Sequence, residues 1–349
     1  MSWMLIIGHL VMRAFATLLL CLAAQAAVAL DAQSINDAQW IRQADSKGGL
    51  SPVVAKAQIL LDRGHFSPRE IDGKLGENFK KALTAFGAEQ AVEARGQFSE
   101  EVWKKLISLS GEPALTEYTI SEDDVRGPFL ETVPAKMEDM KDLPSLGYTS
   151  LKEKLAEKFH MSQELLVALN SGKQLDAPGE RITVANISVG MHSQKAVRLE
   201  VDKGTQMLRA FAKDGKLIAA YPVTAGSEEK PAPSGTLKVL NVTKNPTYRY
   251  NPEYAFKGVQ SEKPFTIKAG ANNPVGLAWI GLSAKSYGIH GTPDPSKVSK
   301  AESHGCIRLT NWDVLELSSI VSKGTVVDFV GDEQARRKAR SAKSTKRRR

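Results

Sequence analysis

Two short segments near the C-terminus combine residue types that can form a covalent catalytic site. His290 lies in the first segment, and His304 and Cys306 lie in the second, so the cysteine follows one histidine closely and another by sixteen positions. A thiolate is the nucleophilic form of cysteine, and a nearby imidazole can accept the thiol proton. Gly305 lets the backbone approach a substrate and leaves amides free to face a developing oxyanion. The spacing therefore indicates a cysteine acyl-transfer site.

The same residue types also have a structural interpretation, which the pattern disfavours. A single cysteine is most often a small buried hydrophobe. The other histidines are scattered without partners in sequence: His9, His65, His160 and His192. Two histidines that converge on one cysteine within a glycine-punctuated turn favour catalysis. Zinc ligation by these side chains is disfavoured, because no carboxylate or second cysteine is spaced to complete the set, so we expect no metal and no cofactor.

Longer stretches around these residues resemble a known family. Four runs carry the likeness: 231–236 (Pro-Ala-Pro-Ser-Gly-Thr), 273–276 (Asn-Pro-Val-Gly), 290–292 (His-Gly-Thr) and 303–308 (Ser-His-Gly-Cys-Ile-Arg). Together they resemble the signature of the YkuD-type L,D-transpeptidase catalytic domain, over roughly 196–331. Ala232 departs from the pattern, since the family often has threonine there.

The resemblance implies a role for each main site residue. Cys306 would attack the carbonyl of the L-centre residue in a peptidoglycan stem tetrapeptide and expel the terminal D-amino acid. An amine would then take up the thioester and form a new amide. His290 corresponds to the general base, and Gly291 to the position whose backbone carbonyl orients that imidazole. The amides of Gly305 and Cys306 are the expected oxyanion donors.

Three further residues of the signature are expected to line the site. We group His304 with the catalytic residues, and Ser303 and Arg308 with substrate binding. Arg308 could pair bidentately with a substrate carboxylate. Stabilisation of the loop is the alternative role for His304 and Arg308.

The residues leave the acceptor open. An amine of a second stem peptide would give a 3-3 cross-link, and a protein lysine would attach a lipoprotein. Water would make the protein an L,D-carboxypeptidase with the same site. A non-catalytic wall-binding protein with an inert Cys306 is a further alternative, which the intact pair of His290 and Cys306 disfavours.

The N-terminus has the features of a secretory signal peptide over residues 1–29. Arg13 precedes an apolar run that ends in 27–29 (Ala-Val-Ala), an A-x-A cleavage site. A membrane anchor is the alternative. We expect cleavage and export to the periplasm or cell envelope, which removes Cys21 and leaves Cys306 without an internal disulfide partner.

The net charge of +8 arises at the C-terminus. Residues 336–349 hold nine Lys and Arg and no acid, and they offer little to bury, so the tail 332–349 is expected to be disordered. In an exported protein such a tail would meet anionic wall polymer or lipid headgroups rather than nucleic acid. A merely solubilising role is the alternative.

Two modules are expected before the catalytic domain. After a linker at 30–50, three amphipathic helices are predicted in 51–110, which resembles a peptidoglycan-binding domain through 71–76 (Ile-Asp-Gly-Lys-Leu-Gly). A second linker, 111–147, leads to 148–188, which is similar to a degenerate LysM module, a glycan binder. A helical spacer without a ligand is the alternative for the first module.

From residue 197 the pattern changes to short strands. Residues 197–201 alternate between apolar and polar, and Asp214-Gly215 is a hairpin signal. A helix is predicted to begin near Asn311. The chain is therefore predicted to be a multidomain α+β protein whose catalytic domain, 196–331, is a mostly antiparallel β-sandwich with the active site at one rim.

Overall fold

The structure is a computed structural model, and it describes residues 30–41, 49–109, 111–187, 194–227, 230–254, 259–300 and 305–331. The predicted signal peptide (1–29), the basic tail (332–349) and the site candidates Ser303 and His304 lie outside the described residues. In the ranges that are described, no helix has the length and apolar character needed to cross a bilayer.

The first module consists of short amphipathic helices with definable starts. Its helices are α2 (Pro52–Arg63), α3 (Glu77–Glu89) and α4 (Glu100–Ser108), and a short helix α1 (Ala32–Asn36) precedes them within the predicted linker 30–50. Pro52 occupies the first turn of α2, where a missing N–H costs nothing. The Ser99 side chain caps α4 by accepting from the Val102 amide. The apolar faces of α2, α3 and α4 pack into one core around Phe79 and Phe86.

The next part of the chain contains more structure than the sequence predicts. Its elements are β1 (Leu115–Thr119), α5 (Glu122–Val125), α6 (Met137–Met140), α7 (Leu151–Lys158), α8 (Gln163–Leu169) and β2 (Arg181–Ala185). We predicted a linker over 111–147, yet β1 lies there and pairs antiparallel with β2. Only Leu115 of β1 is buried, so this strand has no apolar alternation from which to predict it.

The remaining elements lie in the region predicted to be the catalytic domain. They are β3 (Arg198–Asp202), β4 (Met207–Phe211), β5 (Leu217–Pro222), β6 (Thr224–Ala225), β7 (Gly235–Lys244), β8 (Tyr248–Tyr250), β9 (Phe265–Ile267), β10 (Ala278–Leu282), β11 (Gly288–His290), β12 (Ile307–Arg308), α9 (Asn311–Ile320) and β13 (Val326–Val330). Nine strands form one sheet in the order β5-β4-β3-β13-β7-β10-β11-β12-β6, while β8 and β9 pair separately.

This sheet is mixed: most neighbouring strands are antiparallel, as predicted, but two pairs are parallel. The pairs β3–β13 and β11–β12 are parallel, and the other neighbours are antiparallel. A parallel pair needs a long connection between its strands. The sixteen residues from 291 to 306 connect β11 to β12 and are long enough for this. An alternating apolar pattern in the sequence does not show whether a strand runs parallel or antiparallel to its neighbour.

One core lies beneath the sheet and holds its two halves together. The long strand β7 pairs with β13 through its first half and with β10 through its second. Apolar residues from both halves and from α9 share a single buried cluster, including Tyr221, Ile289 and Leu317. The strands that carry His290 and Arg308 are therefore anchored by a continuous apolar core.

Candidate active site

The register between β11 and β12 places the predicted nucleophile and base on one face of the sheet. Ile289 is opposite Ile307, and His290 is opposite Arg308. Successive side chains alternate between faces, so Cys306 and Arg308 share the face of His290. Both isoleucines point to the other face, where each is fully buried in the core.

His290 is held tightly in one orientation. Its side chain is 4% exposed, and Nδ1 lies 2.7 Å from the carbonyl oxygen of Gly291. The ring also stacks on Trp279 of the neighbouring strand, with centroids 5.6 Å apart and planes at 16°. A carbonyl can only accept, so Nδ1 carries the proton and Nε2 carries the lone pair of the neutral imidazole.

The electrostatic setting keeps His290 uncharged. Burial, followed by the positive charge of Arg308, lowers the pKa of His290 to about 3, against a smaller opposing effect of the Gly291 carbonyl. The imidazole is therefore neutral at physiological pH. A neutral imidazole with a free Nε2 is the form that can accept a proton.

Cys306 lies directly before β12 and is partly exposed. Its thiol donates to the carbonyl oxygen of Ser286 over an Sγ–O distance of 3.7 Å. Burial raises the pKa of Cys306, and the amide of Gly288 and the charges of Lys230 and Arg308 oppose this effect only in part. The pair therefore rests as thiol and neutral imidazole rather than as thiolate and imidazolium.

Gly305 satisfies a steric requirement beside the nucleophile. Its φ is +94°, a conformation that side chains rarely adopt. A Cβ there would also lie 3.0 Å from a ring carbon of Tyr287 and 3.1 Å from Cγ of Lys230. Glycine at this position lets the chain turn into Cys306 within the space that those side chains leave.

A pocket of about 420 Å³ opens in front of Cys306 and His290. Lys230, Arg249 and Arg308 make its wall basic, and its described lining residues include no aspartate or glutamate. Arg308 Nε is buried and has no hydrogen-bond partner among the described residues. The pocket is suited to an anionic peptide rather than to a cationic one.

The sequence prediction missed several lining residues. The pairing of β10 with β11 brings Trp279 to the site, and Tyr248 and Arg249 lie on the separate strand β8. Met137 reaches the pocket from the predicted linker. An aromatic residue within an apolar strand, such as Trp279, is the only one of these that carried a signal in the sequence.

No three side chains of the His, Cys, Asp and Glu types gather as a metal-binding group within the described ranges.

Comparisons with known proteins identify the family. The family model of the L,D-transpeptidase catalytic domain, YkuD, matches residues 196–329. A Bacillus licheniformis protein named as an L,D-transpeptidase, YkuD, is 32% identical over 182 residues, which cover 51% of this chain and 92% of that protein. YqjB of Bacillus subtilis, named in the same way, is 34% identical over 140 residues, covering 39% of this chain and 72% of that protein.

Part of this chain is similar to a solved structure. The NMR structure of the catalytic domain from the E. faecium L,D-transpeptidase is 25% identical, with a TM-score of 0.29, and the match covers 40% of this chain and 100% of that one. The sequence relatives decide the assignment: the chain belongs to the YkuD family of L,D-transpeptidases. The family predicted from the Ser-His-Gly-Cys signature is confirmed.

Proposed function

We propose that this protein forms a thioester between Cys306 and a peptidoglycan stem tetrapeptide and passes the acyl group to an amine in the cell envelope. The observation that carries the proposal is the parallel register of β11 and β12. This register sets His290 opposite Arg308, and the basic pocket that His290 and Cys306 both line supports the proposal further.

The first half-reaction follows from the neutral pair. His290 Nε2 accepts the thiol proton as Sγ attacks the carbonyl carbon of the L-centre residue. The amides of Gly305 and Cys306 would donate to the oxyanion that forms. When the intermediate collapses, the carbon–nitrogen bond breaks, and the imidazolium returns its proton to the leaving D-amino acid.

The second half-reaction runs in reverse order. An acceptor amine attacks the thioester carbonyl and gives a proton to His290, and the thiolate of Cys306 leaves. The imidazolium then reprotonates Sγ, so the site returns to its starting state.

The basic lining supports an anionic donor. A tetrapeptide stem ends in a free carboxylate, and the three cations at the pocket wall supply the complementary charge. We assign substrate-carboxylate binding to Arg308, since its guanidinium can form a bidentate pair. Ser303 and His304 remain proposed members of the site.

Mass spectrometry of reaction products tests the proposal. Purified protein is incubated with tetrapeptide-stem muropeptides, and we expect a product with the mass of two stems less one D-amino acid. A stem shortened by one residue with no dimer would identify a carboxypeptidase, and transfer only to a protein lysine would identify lipoprotein attachment. Cys306→Ala is the blank, and substantial product from soluble, folded Cys306→Ala protein overturns the mechanism.

We also infer that the protein is exported and that its flanking parts hold it at the wall. The resemblance of 51–110 and 148–188 to wall-binding modules supports glycan or stem-peptide contacts, and the charge of 332–349 supports contact with an anionic polymer or lipid. Sedimentation with purified sacculi tests this. Protein ending at residue 331 should bind less at low salt and equally at high salt, because salt screens the tail over a Debye length of about 10 Å at 0.1 M.

A further inference from the structure

A buried polar contact connects the start of α9 to helix α7 of the LysM-like module. Asn311, the first residue of α9, is 1% exposed. Its Nδ2 donates to the Ala271 carbonyl at 3.0 Å and to both carboxyl oxygens of Glu157 at 3.1 Å each. Glu157 belongs to α7 and is 8% exposed. A side chain of the N-terminal part therefore fixes the orientation of an amide in the catalytic domain.

The other end of the Asn311 amide touches the backbone that orients the base. Oδ1 accepts from the Leu277 amide at 3.1 Å. A Cβ placed on Gly291 would lie 2.3 Å from this oxygen, and one placed on Gly276 would lie 2.1 Å from it. Asn311 thus packs directly against the residue whose carbonyl holds Nδ1 of His290. Because interiors are close-packed, a shift of this amide displaces Gly291.

We propose that Glu157 is a positioning residue for acyl transfer, acting through Asn311 and Gly291 on the imidazole of His290. The LysM-like module would then complete the catalytic apparatus in addition to any contact it makes with the wall. The inference rests on the proposed role of His290 as the base.

The surroundings of Glu157 support this role. Tyr148 OH donates to the carboxyl at 3.5 Å, and no basic side chain forms an ion pair with it among the described residues. The nearby Glu153 accepts from the Asn272 side chain at 2.8 Å and so holds the segment that leads to Gly276. Helix α7 therefore supports the segment before Gly276 as well as Asn311. Removing the carboxyl of Glu157 would leave the buried Nδ2 of Asn311 short of an acceptor, which is costly.

A graded set of variants in the full chain tests the proposal. Glu157→Ala removes the acceptor, Glu157→Asp keeps a carboxyl group but shortens its reach, and Glu157→Gln keeps an acceptor at the same reach. Ser67→Ala is the matched control. The Ser67 Oγ donates to Asp313 of α9 at 3.0 Å, so its removal loosens the same helix without affecting a contact to Gly291.

Two readouts separate positioning from general loosening. We expect kcat for stem-peptide transfer to fall about tenfold or more in Glu157→Ala, while KM stays within about twofold of the wild-type value. The reason is that a misplaced His290 imidazole lowers the rate of the chemical step. Glu157→Asp should lose part of the rate, and Glu157→Gln should stay within about threefold of the wild type. The second readout is the Nδ1–H resonance of His290 in ¹⁵N-histidine-labelled protein, which is assigned by its loss in His290→Ala. This resonance should shift in Glu157→Ala and keep its wild-type chemical shift in Ser67→Ala.

The resonance needs no substrate, so it reports on positioning even if the proposed reaction fails. An unshifted Nδ1–H resonance with wild-type kcat in Glu157→Ala overturns the proposal. So does an equal loss of kcat in Ser67→Ala at equal stability. If Glu157→Ala does not fold, the other two variants decide. A higher kcat in Glu157→Gln than in Glu157→Asp supports the proposal, and the reverse order contradicts it.

Discussion

At the scale of single residues, the site combines a depressed histidine pKa with a raised cysteine pKa. Both shifts have burial as their largest cause, and burial disfavours the charged form of each group. The proton therefore remains on Sγ in the resting enzyme and moves to His290 only during attack. We therefore propose that His290 acts as a general base in the transition state rather than as a permanent counter-ion.

The pH dependence of thiol alkylation distinguishes these two arrangements. Thiolate is the deprotonated form, so alkylation of Cys306 by iodoacetamide should keep increasing until the pH exceeds the ordinary thiol pKa of about 8.5. Labelling at Cys306 is followed by mass spectrometry, with Cys306→Ala as the blank. A rate that is already constant at pH 6 to 7 would show a preformed ion pair and contradict this assignment.

Gly305 allows a second test at the residue scale. Gly305→Ala and Gly215→Ala both place a side chain at positive φ, +94° and +85°, so each should cost about 1 kcal/mol. Only the first also meets Tyr287 and Lys230, because nothing lies within 4 Å of a Cβ at Gly215. Gly305→Ala should reduce turnover about tenfold or more, while Gly215→Ala should keep it. Equal turnover of the two variants would show that the space beside Cys306 is not restrictive.

At the scale of elements, α7 and α9 form a buried polar contact between two parts of the chain. His160, just after α7, stacks on Trp312 with centroids 5.3 Å apart and also lies 2.9 Å from the carboxylate of Asp62. Removing one partner of a buried polar contact is costly, because the other group is left unpaired. The contact therefore fixes how α9 sits, and α9 in turn supports Gly291.

Glu157 makes this contact sensitive to pH. Burial raises the pKa of Glu157 to about 8, far above an ordinary carboxyl value of about 4.3. Between about pH 4.5 and 8 the folded protein keeps a proton that the unfolded chain releases, so the free energy of unfolding falls as pH rises through this window. A glutamine at position 157 cannot titrate, so the free energy of unfolding of Glu157→Gln should lack this part of the pH dependence. Urea titrations of both proteins at pH 5, 6.5 and 8 check this. If the two free energies of unfolding differ by the same amount at every pH, the prediction is contradicted.

At the scale of the whole molecule, the N-terminal modules share their cores with their neighbours. Met207, Leu217 and Ala220 of the catalytic sheet pack within the apolar core of the first helical module. Phe66 forms a bridge to Ala220, and backbone hydrogen bonds accompany it at the edge of β5. The first helical module therefore shares its apolar core with the catalytic sheet.

Removal of the modules should consequently weaken the catalytic domain. A protein beginning at residue 194 exposes the apolar residues at the edge of β5 and loses the Glu157 contact. We expect its Tm to fall by about 5 °C or more, since each kcal/mol shifts Tm by about 2–4 °C at this size. Calorimetry of the truncated and full-length proteins measures this. An unchanged Tm would show that the shared core contributes little.

The sequence by itself determined the local features of this protein. The spacing of His290, Gly305 and Cys306 identified the chemistry, because a nucleophile, a base and a permissive glycine are defined by residue type. Helix starts such as Ser51-Pro52 and Ser99 were predictable because capping depends on a few neighbouring residues.

Only the tertiary structure decided what depends on long-range packing. The parallel direction of β12 beside β11 and the pairing of β1 with β2 arise from contacts across many residues, which short-range periodicity does not encode. The same holds for the approach of Glu157 to Asn311, separated by 154 positions along the chain. The chemical identity of the site is thus local, whereas its geometry is set by the shared core that brings distant segments into contact.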